Sequence, residues 1–213
     1  MPALTDRPMR ADARRNRERV LDAAMAAFAH QGLRAQVEDI ALRAGVGVGT
    51  VCRNFPTKEL LVEAVLSRVY GSLLDDARQA LADPDPTQGF LALVDAVVEF
   101  QARHRVLAEE MAELVELPDG AVPRRDALRD ATAEILARAQ RAGAIREDIG
   151  PADMAMLLAG MAQAASVTGD QGPILRRRYV AIILDGLRPT GASPLPGRPL
   201  GLAHLTRQDR RAH

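Results

Sequence analysis

Cysteine, tryptophan and lysine are almost missing from this chain of 213 residues. Cys52 is the single cysteine, there is no tryptophan, and Lys58 is the single lysine among 28 basic residues. One cysteine excludes an intrachain disulfide and a metal site built from several cysteines. Aromatic residues make up 3% of the chain and hydrophobic residues 47%. The core is therefore expected to be aliphatic.

Long apolar runs are missing as well. Every apolar stretch is far shorter than the roughly 20 residues that a membrane-spanning helix needs. The first residues, MPALTDRPMRADARRNRERV, are charged and lack the apolar centre of a signal peptide. We therefore expect no membrane partner and a cytoplasmic location.

The net charge is zero, but the charges are spread unevenly along the chain. Residues 1–58 contain ten Lys and Arg against six Asp and Glu, a net charge of +4. The rest of the chain contains 18 against 22, a net charge of −4. This distribution is compatible with ordinary surface variation. It is also what a basic end that meets an anionic partner would have.

Apolar residues recur at helical spacing along most of the chain. Val20, Ala24 and Phe28 form the apolar face of a first helix. Asp12 is its predicted N-cap and Gly32 its predicted end. Similar patterns follow nearly to the C-terminal tail, and no stretch is convincing as a strand. The sequence therefore predicts an all-α fold.

Three glycines alternate with valine and threonine in the stretch AGVGVGT. A helix-turn-helix explains them, because its helices cross closely and need a small residue, then a turn residue, then an apolar anchor. Ala41, Gly45 and Val51 stand at the required spacing, and Gly45 supplies the positive φ of the turn. Gly47 falls at the N-cap of the second helix. Gly49 lies on the exposed side of that helix, where a missing side chain lets the backbone approach a phosphate.

The segment RERVLDAAMAAFAHQG and the later VEDIALRAGVGVGTVCRNFPTKELL resemble the DNA-binding domain of the tetracycline-repressor (TetR) family of bacterial regulators. RAQRAGAIREDIGPADMAMLLAGMAQ and RRYVAIILDGLR are similar to the ligand-binding half of actinobacterial members. The resemblance implies a three-helix head and a helical-bundle body. It also implies a ligand-responsive, sequence-specific DNA-binding regulator, expected to be a repressor that a small molecule releases from a palindromic operator.

The resemblance implies that the second helix of the motif, about Val48–Phe55, enters the major groove of double-stranded DNA. Arg53 is the candidate for a base contact, because a guanidinium can pair bidentately with guanine. Lys58 and the free N–H groups of the next helix would hold a phosphate. Arg14, Arg15 and Arg17 at the start of the first helix would reach the flanking backbone. The expected DNA-binding residues are Arg14, Gln36, Gly47, Val48, Gly49, Thr50, Arg53, Asn54 and Lys58.

Three positions in the motif depart from the usual pattern of the family. Tyrosine is usual where Cys52 stands, an aromatic residue or histidine where Asn54 stands, and serine is frequent where Gly47 stands. Cysteine cannot reproduce the hydrogen bond of tyrosine to a phosphate, and glycine has no hydroxyl. We expect these departures to weaken or redirect phosphate contacts.

The resemblance further implies that the body binds a small-molecule effector and forms a homodimer. Methionines suit an adaptable apolar pocket, although at helical spacing they are more often plain core. The candidate pocket residues are Phe100, Arg103, His104, Met111 and Met156. Small residues in PADMAMLLAGMAQAA suit close helix packing between subunits, although an internal core helix has the same pattern. The candidate dimer-interface residues are Ala155, Leu158, Ala159, Ala162, Ile183 and Leu187.

Two other classes of function compete with this interpretation. One is a helical small-molecule-binding protein whose DNA-binding head is degenerate. The other is a helical enzyme, but no nucleophile motif, phosphate-binding loop or acid–base pair is present in the sequence. The four histidines form no metal-ligand pattern, so we expect no metal, no cofactor and no catalytic residue.

The expected domains follow from the motif and from breaks in the helical pattern. Residues 1–11 are expected to be a flexible N-terminus, and residues 12–57 the DNA-binding domain. Residues 58–188 are expected to form the effector-binding and dimerisation domain. Residues 189–213 have too little apolar periodicity to fold and are expected to be disordered.

Overall fold

The computed structural model describes residues 6–113, 117–166 and 172–199. Within these ranges every regular element is helical, so the predicted all-α fold is confirmed. A short 3-10 turn, Gly32–Arg34, follows the first helix. The helices are α1 Asp6–Gln31, α2 Val37–Ala44, α3 Val48–Asn54, α4 Lys58–Ala82, α5 Pro86–Arg103, α6 Arg105–Glu113, α7 Val122–Arg141, α8 Pro151–Ser166 and α9 Gly172–Gly186.

The first helix begins earlier than its sequence predicts. Asp12 was expected to be the N-cap, but α1 already starts at Asp6, so the N-cap prediction is wrong. The carboxylate of Asp12 pairs with Arg15 one turn later instead of accepting from the backbone. Pro8 is no obstacle, since proline is tolerated in the first turn of a helix. The other end agrees with the prediction, because Gly32 follows α1 with a φ of 68°.

The chain forms two compact units, and the first contains Met1–Val69 together with Val106–Val122. In this unit α1 packs against both α2 and α3. Its interior holds the largest fully buried side chains, among them Phe28, Ile40 and Leu107. Leu107 comes from α6, and Glu110 of the same helix accepts the N–H of Leu33 from the 3-10 turn after α1. Helix α6 is therefore part of the packing of the first unit.

The second unit contains Tyr70–Arg105 and Pro123–His213. Helix α8 packs against α5 and α9. The core of this unit is almost entirely aliphatic, as the low aromatic content predicts, with Phe90 as its one phenylalanine. Its larger buried members are Leu74, Phe90, Leu93, Val94, Val98, Ile135, Leu136, Ile145, Ile149, Met154, Leu158 and Leu187.

The segment after α9 is attached to the turn between α7 and α8. The N–H of Leu195 donates to Oδ2 of Asp148 over 3.0 Å, and Nη2 of Arg146 donates to the carbonyl of Ser193 over 2.5 Å. Arg146 also pairs with Asp148, with 2.8 Å between Nη2 and Oδ2. The Arg146 guanidinium, followed by the Leu195 N–H, holds the pKa of Asp148 well below its usual range.

The expected division into a DNA-binding and an effector-binding domain remains a prediction. The two compact units are defined by which residues pack together, whereas the expected domains are defined by which residues bind DNA or an effector. The first unit includes Val106–Val122, which lie far beyond the expected DNA-binding residues 12–57. Residues 200–213, the greater part of the tail expected to be disordered, lie outside the described residues.

Candidate DNA-binding site

The turn between α2 and α3 depends on Gly45. Its φ of 63° lies in the left-handed region, which glycine enters without the steric penalty of a Cβ. Its N–H donates to Leu42 and the N–H of Val46 donates to Ala41, each over 3.1 Å. These two bonds form a Schellman motif, which satisfies carbonyls at the end of α2 and turns the chain sharply.

Arg19, a residue that the sequence did not single out, holds the same turn from α1. Its Nη2 donates to the carbonyl of Ala44 over 2.6 Å and lies 3.3 Å from that of Gly45. A cation is favourable there because the C-terminus of a helix carries partial negative charge. A Cβ on Gly45 would lie 2.8 Å from this nitrogen. The flexible Arg19 side chain could shift away from such a Cβ, so the positive φ is the reason for glycine at this position.

Helix α3 begins and ends as the sequence predicts. Gly47 is its N-cap, with an extended backbone, and its carbonyl accepts from the N–H of Thr50 over 2.8 Å. Val51 and Phe55 point inward and are 1% and 4% exposed. Arg17 holds the C-terminal end of α3, since its Nη1 donates to the carbonyl of Asn54 over 3.0 Å.

The guanidinium of Arg17 also lies over the ring of Phe55, at 4.2 Å from the centroid. This is a cation–π contact, and it holds α1 against the C-terminus of α3. Arg17 was expected to reach the DNA backbone beside the motif. In the structure its guanidinium contacts the C-terminal end of α3, and its expected DNA contact stays a prediction.

The polar side chains of α3 bond to their own helix in this structure. Arg53 donates from Nε to the carbonyl of Gly49 over 3.1 Å and from Nη2 to Oγ1 of Thr50 over 3.3 Å. Asn54 donates from Nδ2 to the carbonyl of Thr50 over 2.8 Å. Arg53 is exposed, so a change of rotamer is enough to turn its guanidinium outward.

The start of α4 has the geometry of a helix N-terminus, with one feature that the sequence did not predict. Oγ1 of Thr57 accepts the N–H of Leu60 over 3.3 Å, so Thr57 is the N-cap of α4. Glu59 stands beside Lys58, and a hydrogen bond from its own backbone N–H, then one with Thr57, lowers the pKa of Glu59. A carboxylate therefore already uses part of the anion site expected beside Lys58.

Two further expected DNA contacts, Arg14 and Gln36, lie on the exposed surface of the first unit. Arg14 is on α1. Gln36 is the N-cap of α2, but its side chain makes no cap bond and donates instead to the carbonyl of Arg34 over 3.0 Å. The structure thus gathers the expected residues of α3 on one short helix, and it supplies α1 arginines that hold this helix in place.

Metal and membrane roles find no support in the part of the chain that the structure describes. Within residues 6–113, 117–166 and 172–199, no group of three or more His, Cys, Asp or Glu side chains could hold a metal ion. No helix within these ranges is long and apolar enough to span a bilayer.

Comparison with known proteins decides the family. The model of "Bacterial regulatory proteins, tetR family" matches residues 20–65, and that of "Transcriptional regulator SbtR-like, C-terminal domain" matches residues 85–189. The HTH-type transcriptional repressor KstR of Mycobacterium tuberculosis is 32% identical over 167 residues, which cover 73% of this chain and 75% of KstR. The chain belongs to the TetR family.

Solved structures of other TetR regulators have the same fold. The TetR transcription regulatory protein from Mycobacterium vanbaalenii is 37% identical with a TM-score of 0.62, covering 85% of this chain and 99% of that one. The regulator SCO0520 from Streptomyces coelicolor is 34% identical with a TM-score of 0.63, covering 82% and 99%. The interpretation of the sequence as a ligand-responsive DNA-binding transcriptional regulator is therefore confirmed at the level of the family.

In this TetR protein four of the five expected pocket residues lie in the second unit. Phe100 and His104 do meet, with ring centroids 5.2 Å apart, at the end of α5. Arg103 instead pairs with Glu99 on the exposed surface, over 2.9 Å. Met156 is 53% exposed on α8.

Two further observations bear on the pocket. Met111, on α6, is half-buried and belongs to the first unit, whereas the other expected pocket residues belong to the second. Near the Phe100–His104 pair, Oε1 of Gln101 is buried and accepts no hydrogen bond from the described residues. The sequence did not single out Gln101, since a glutamine near a helix end carries no distinctive signal.

The expected dimer residues fall into two groups. Leu158 and Leu187 are 8% and 4% exposed and pack in the core of the second unit within the single chain, and their expected interface role stays a prediction. Ala155, Ala159 and Ile183 are partly exposed on α8 and α9. The side chain of Ala162 lies outside the described residues.

Proposed function

We propose that this chain is a homodimeric repressor that binds a palindromic operator and is released from it by a small-molecule effector. The main support for the proposal is the helix-turn-helix. Arginines of α1 hold α3 in place, and the polar side chains of α3 face outward. The similarity to KstR, a transcriptional repressor, supports repression. A repressor of this kind acts where the chromosome is, in the cytoplasm.

The roles at the DNA follow from the chemistry of each group. Arg53 turns outward and reads guanine with its guanidinium, while Thr50 and the N–H of Gly49 hold a phosphate. Lys58 holds a second phosphate at the start of α4. Arg14 supports the flanking backbone. The side chains or backbones of Gln36, Gly47, Val48 and Asn54 complete the surface that faces the duplex.

The dimer face lies on α8 and α9 of the second unit. Ala155 and Ala159 allow close approach of a partner helix. Met156, Leu157 and Ile182 are 53%, 41% and 57% exposed, an unusual exposure for large apolar side chains on neighbouring helices. Two copies joined there present two α3 helices, which suit half-sites about 34–36 Å apart.

The effector site is at the end of α5. The Phe100–His104 ring pair offers an apolar wall, and the buried Oε1 of Gln101 offers an acceptor for a ligand donor. The dimer is in equilibrium between a form whose two α3 helices match the half-sites and a form whose α3 helices do not. An effector that binds the second form better would release the DNA.

Two variants test the assigned roles at an operator obtained by selection from random duplexes. Arg53→Ala is expected to relax base preference at one position per half-site and to cost about 1–3 kcal/mol there. Lys58→Ala is expected to weaken binding to all sequences alike and to reduce the dependence of log Kd on log salt concentration.

Fluorescence anisotropy over a salt series, with matched and single-base-changed operators, gives both quantities. The division of roles is wrong if the two variants lose affinity in the same sequence-independent way. Retention of a small molecule with no sequence-specific DNA binding would instead favour a small-molecule-binding protein with a degenerate head.

A further inference from the structure

One edge of α3 carries no strong hydrogen-bonding side chain. Residues four apart lie on the same side of a helix, so Val48 and Cys52 share one edge, and Thr50 and Asn54 share the opposite edge. Arg53 lies between these edges and bonds toward Thr50, not toward Val48. The recognition helix therefore has a polar edge and an edge suited to apolar contact.

Val48 is an exposed apolar side chain in the first turn of α3. It is 40% exposed, although valine is usually buried. Its chain neighbours Gly47 and Gly49 have no side chains, and a Cβ at either position would meet nothing within 4 Å. Neither chain neighbour therefore covers the isopropyl group of Val48, which lies at the end of the helix whose residues contact base edges in helix-turn-helix proteins.

The chemistry of the major groove leaves one group for such a side chain to read. Valine can neither donate nor accept a hydrogen bond, and among the base edges exposed there the 5-methyl group of thymine is the apolar one. We propose that Val48 reads a thymine methyl group at one T·A pair in each operator half-site. This assignment rests on the proposed function, because it requires that α3 enter the major groove.

Replacing thymine by deoxyuridine removes only that methyl group, so it isolates the contact. In the operator obtained by selection, each thymine is replaced symmetrically in both half-sites, and Kd is measured for the wild-type chain and for Val48→Ala. For the wild type, one replacement is expected to raise Kd about fourfold per half-site and about fifteenfold for the whole palindrome, the effect of one buried methyl group at each.

For Val48→Ala the same replacement is expected to have almost no effect, because the partner of the methyl group is gone. Leu60→Ala is the matched control, since Leu60 is 44% exposed in the same unit but lies outside α3, and it should keep the full thymine preference. Circular dichroism checks that the variants are folded, and alanine at position 48 favours helix.

Two results overturn the assignment while leaving the proposed function intact. One is a wild-type chain that tolerates deoxyuridine at every thymine of its operator. The other is a penalty that persists unchanged in Val48→Ala, which would place the methyl contact on another residue. If no sequence is enriched by selection, the proposed function fails and the assignment of Val48 fails with it.

Discussion

Gly49 occupies the outward side of α3 at a cost to the stability of that helix. A Cβ there would meet nothing within 4 Å, so the fold of the single chain does not require glycine. Glycine in a helix interior is up to about 1 kcal/mol less favourable than alanine. The proposed contact between the Gly49 N–H and a DNA phosphate gives a reason for glycine at this position.

Gly49→Ala is therefore expected to raise the free energy of unfolding by up to about 1 kcal/mol while raising Kd for the operator about tenfold, the loss of one phosphate contact. Thermal denaturation and anisotropy measure the two effects. Gly71→Ala is the matched control, because residue 71 lies inside α4 and a Cβ there makes ordinary contact with Cδ of Arg124 at 3.5 Å. An unchanged affinity in Gly49→Ala would remove Gly49 from the DNA contact.

Arg19 and Arg15 stand four apart on α1 but differ in what they hold. Arg19 bonds to the carbonyls at the end of α2, whereas Arg15 pairs with Asp12 on the exposed surface. Arg19→Gln is expected to lower the free energy of unfolding by about 1–2 kcal/mol, since it loses charged hydrogen bonds to a helix end. Arg15→Gln is expected to cost at most about 0.5 kcal/mol, as for other exposed ion pairs.

Hydrogen–deuterium exchange of the peptide 37–55 measures the different effects of the two variants at the turn between α2 and α3. Arg19→Gln is expected to speed exchange at the turn between α2 and α3 and Arg15→Gln to leave it unchanged. Equal exchange in the two variants would mean that the backbone bonds of Gly45 and Val46 hold the turn without help from α1.

At the scale of elements, the attachment of the chain after α9 depends on the charge of Asp148. A carboxyl group whose pKa is lowered in the folded state stabilises that state above its unfolded pKa, near 3.9, and the contribution is lost as the pH falls below that value. Asp148→Asn removes the charge at neutral pH. It is expected to speed amide exchange at Leu195 to the rate of the unattached segment.

Glu147→Gln is the control, because Glu147 is an exposed carboxylate in the same turn. It should leave the exchange of Leu195 unchanged at pH 7. Slow exchange of Leu195 in Asp148→Asn would show that the carbonyl of Ser193 and the Arg146 guanidinium are enough to hold the segment.

The elements that the sequence predicted best are those fixed by local chemistry. Gly45 and Gly47 placed the turn and the start of α3, because a positive φ and an N-cap are decided within a few residues. Arg19 was missed because its guanidinium bonds to a different helix, α2. The sequence around an arginine on a helix surface does not indicate such a contact.

Helix α8 shows a second limit of sequence patterns. An apolar stripe looks the same whether it packs inside one chain or between two chains. Leu158 and Leu187 were therefore expected at a dimer interface, although they belong to the core of the second unit. Met156, expected in a pocket, is exposed on the same helix. Only the tertiary packing separates the buried side of α8 from the exposed one.

At the scale of the whole molecule, the charge distribution agrees with the proposed function. The net charge of +4 in residues 1–58 belongs to the segment that carries α1, α2 and α3. The −4 on the remaining residues keeps the rest of the surface from competing for DNA phosphates. Electrostatic attraction then favours an encounter in which residues 1–58 face the DNA. The affinity for the operator should fall steeply as the salt concentration rises.

The central claim is that two copies of this chain read DNA with paired α3 helices. Selection of random duplex DNA by the purified full chain, read by sequencing, tests it most directly. The account predicts an enriched palindrome whose half-sites are centred about one helical turn apart, roughly 34–36 Å. An enriched sequence without two-fold symmetry would contradict the dimeric reader. No enrichment by a folded chain at low salt, freed of any co-purified ligand, would contradict DNA recognition itself.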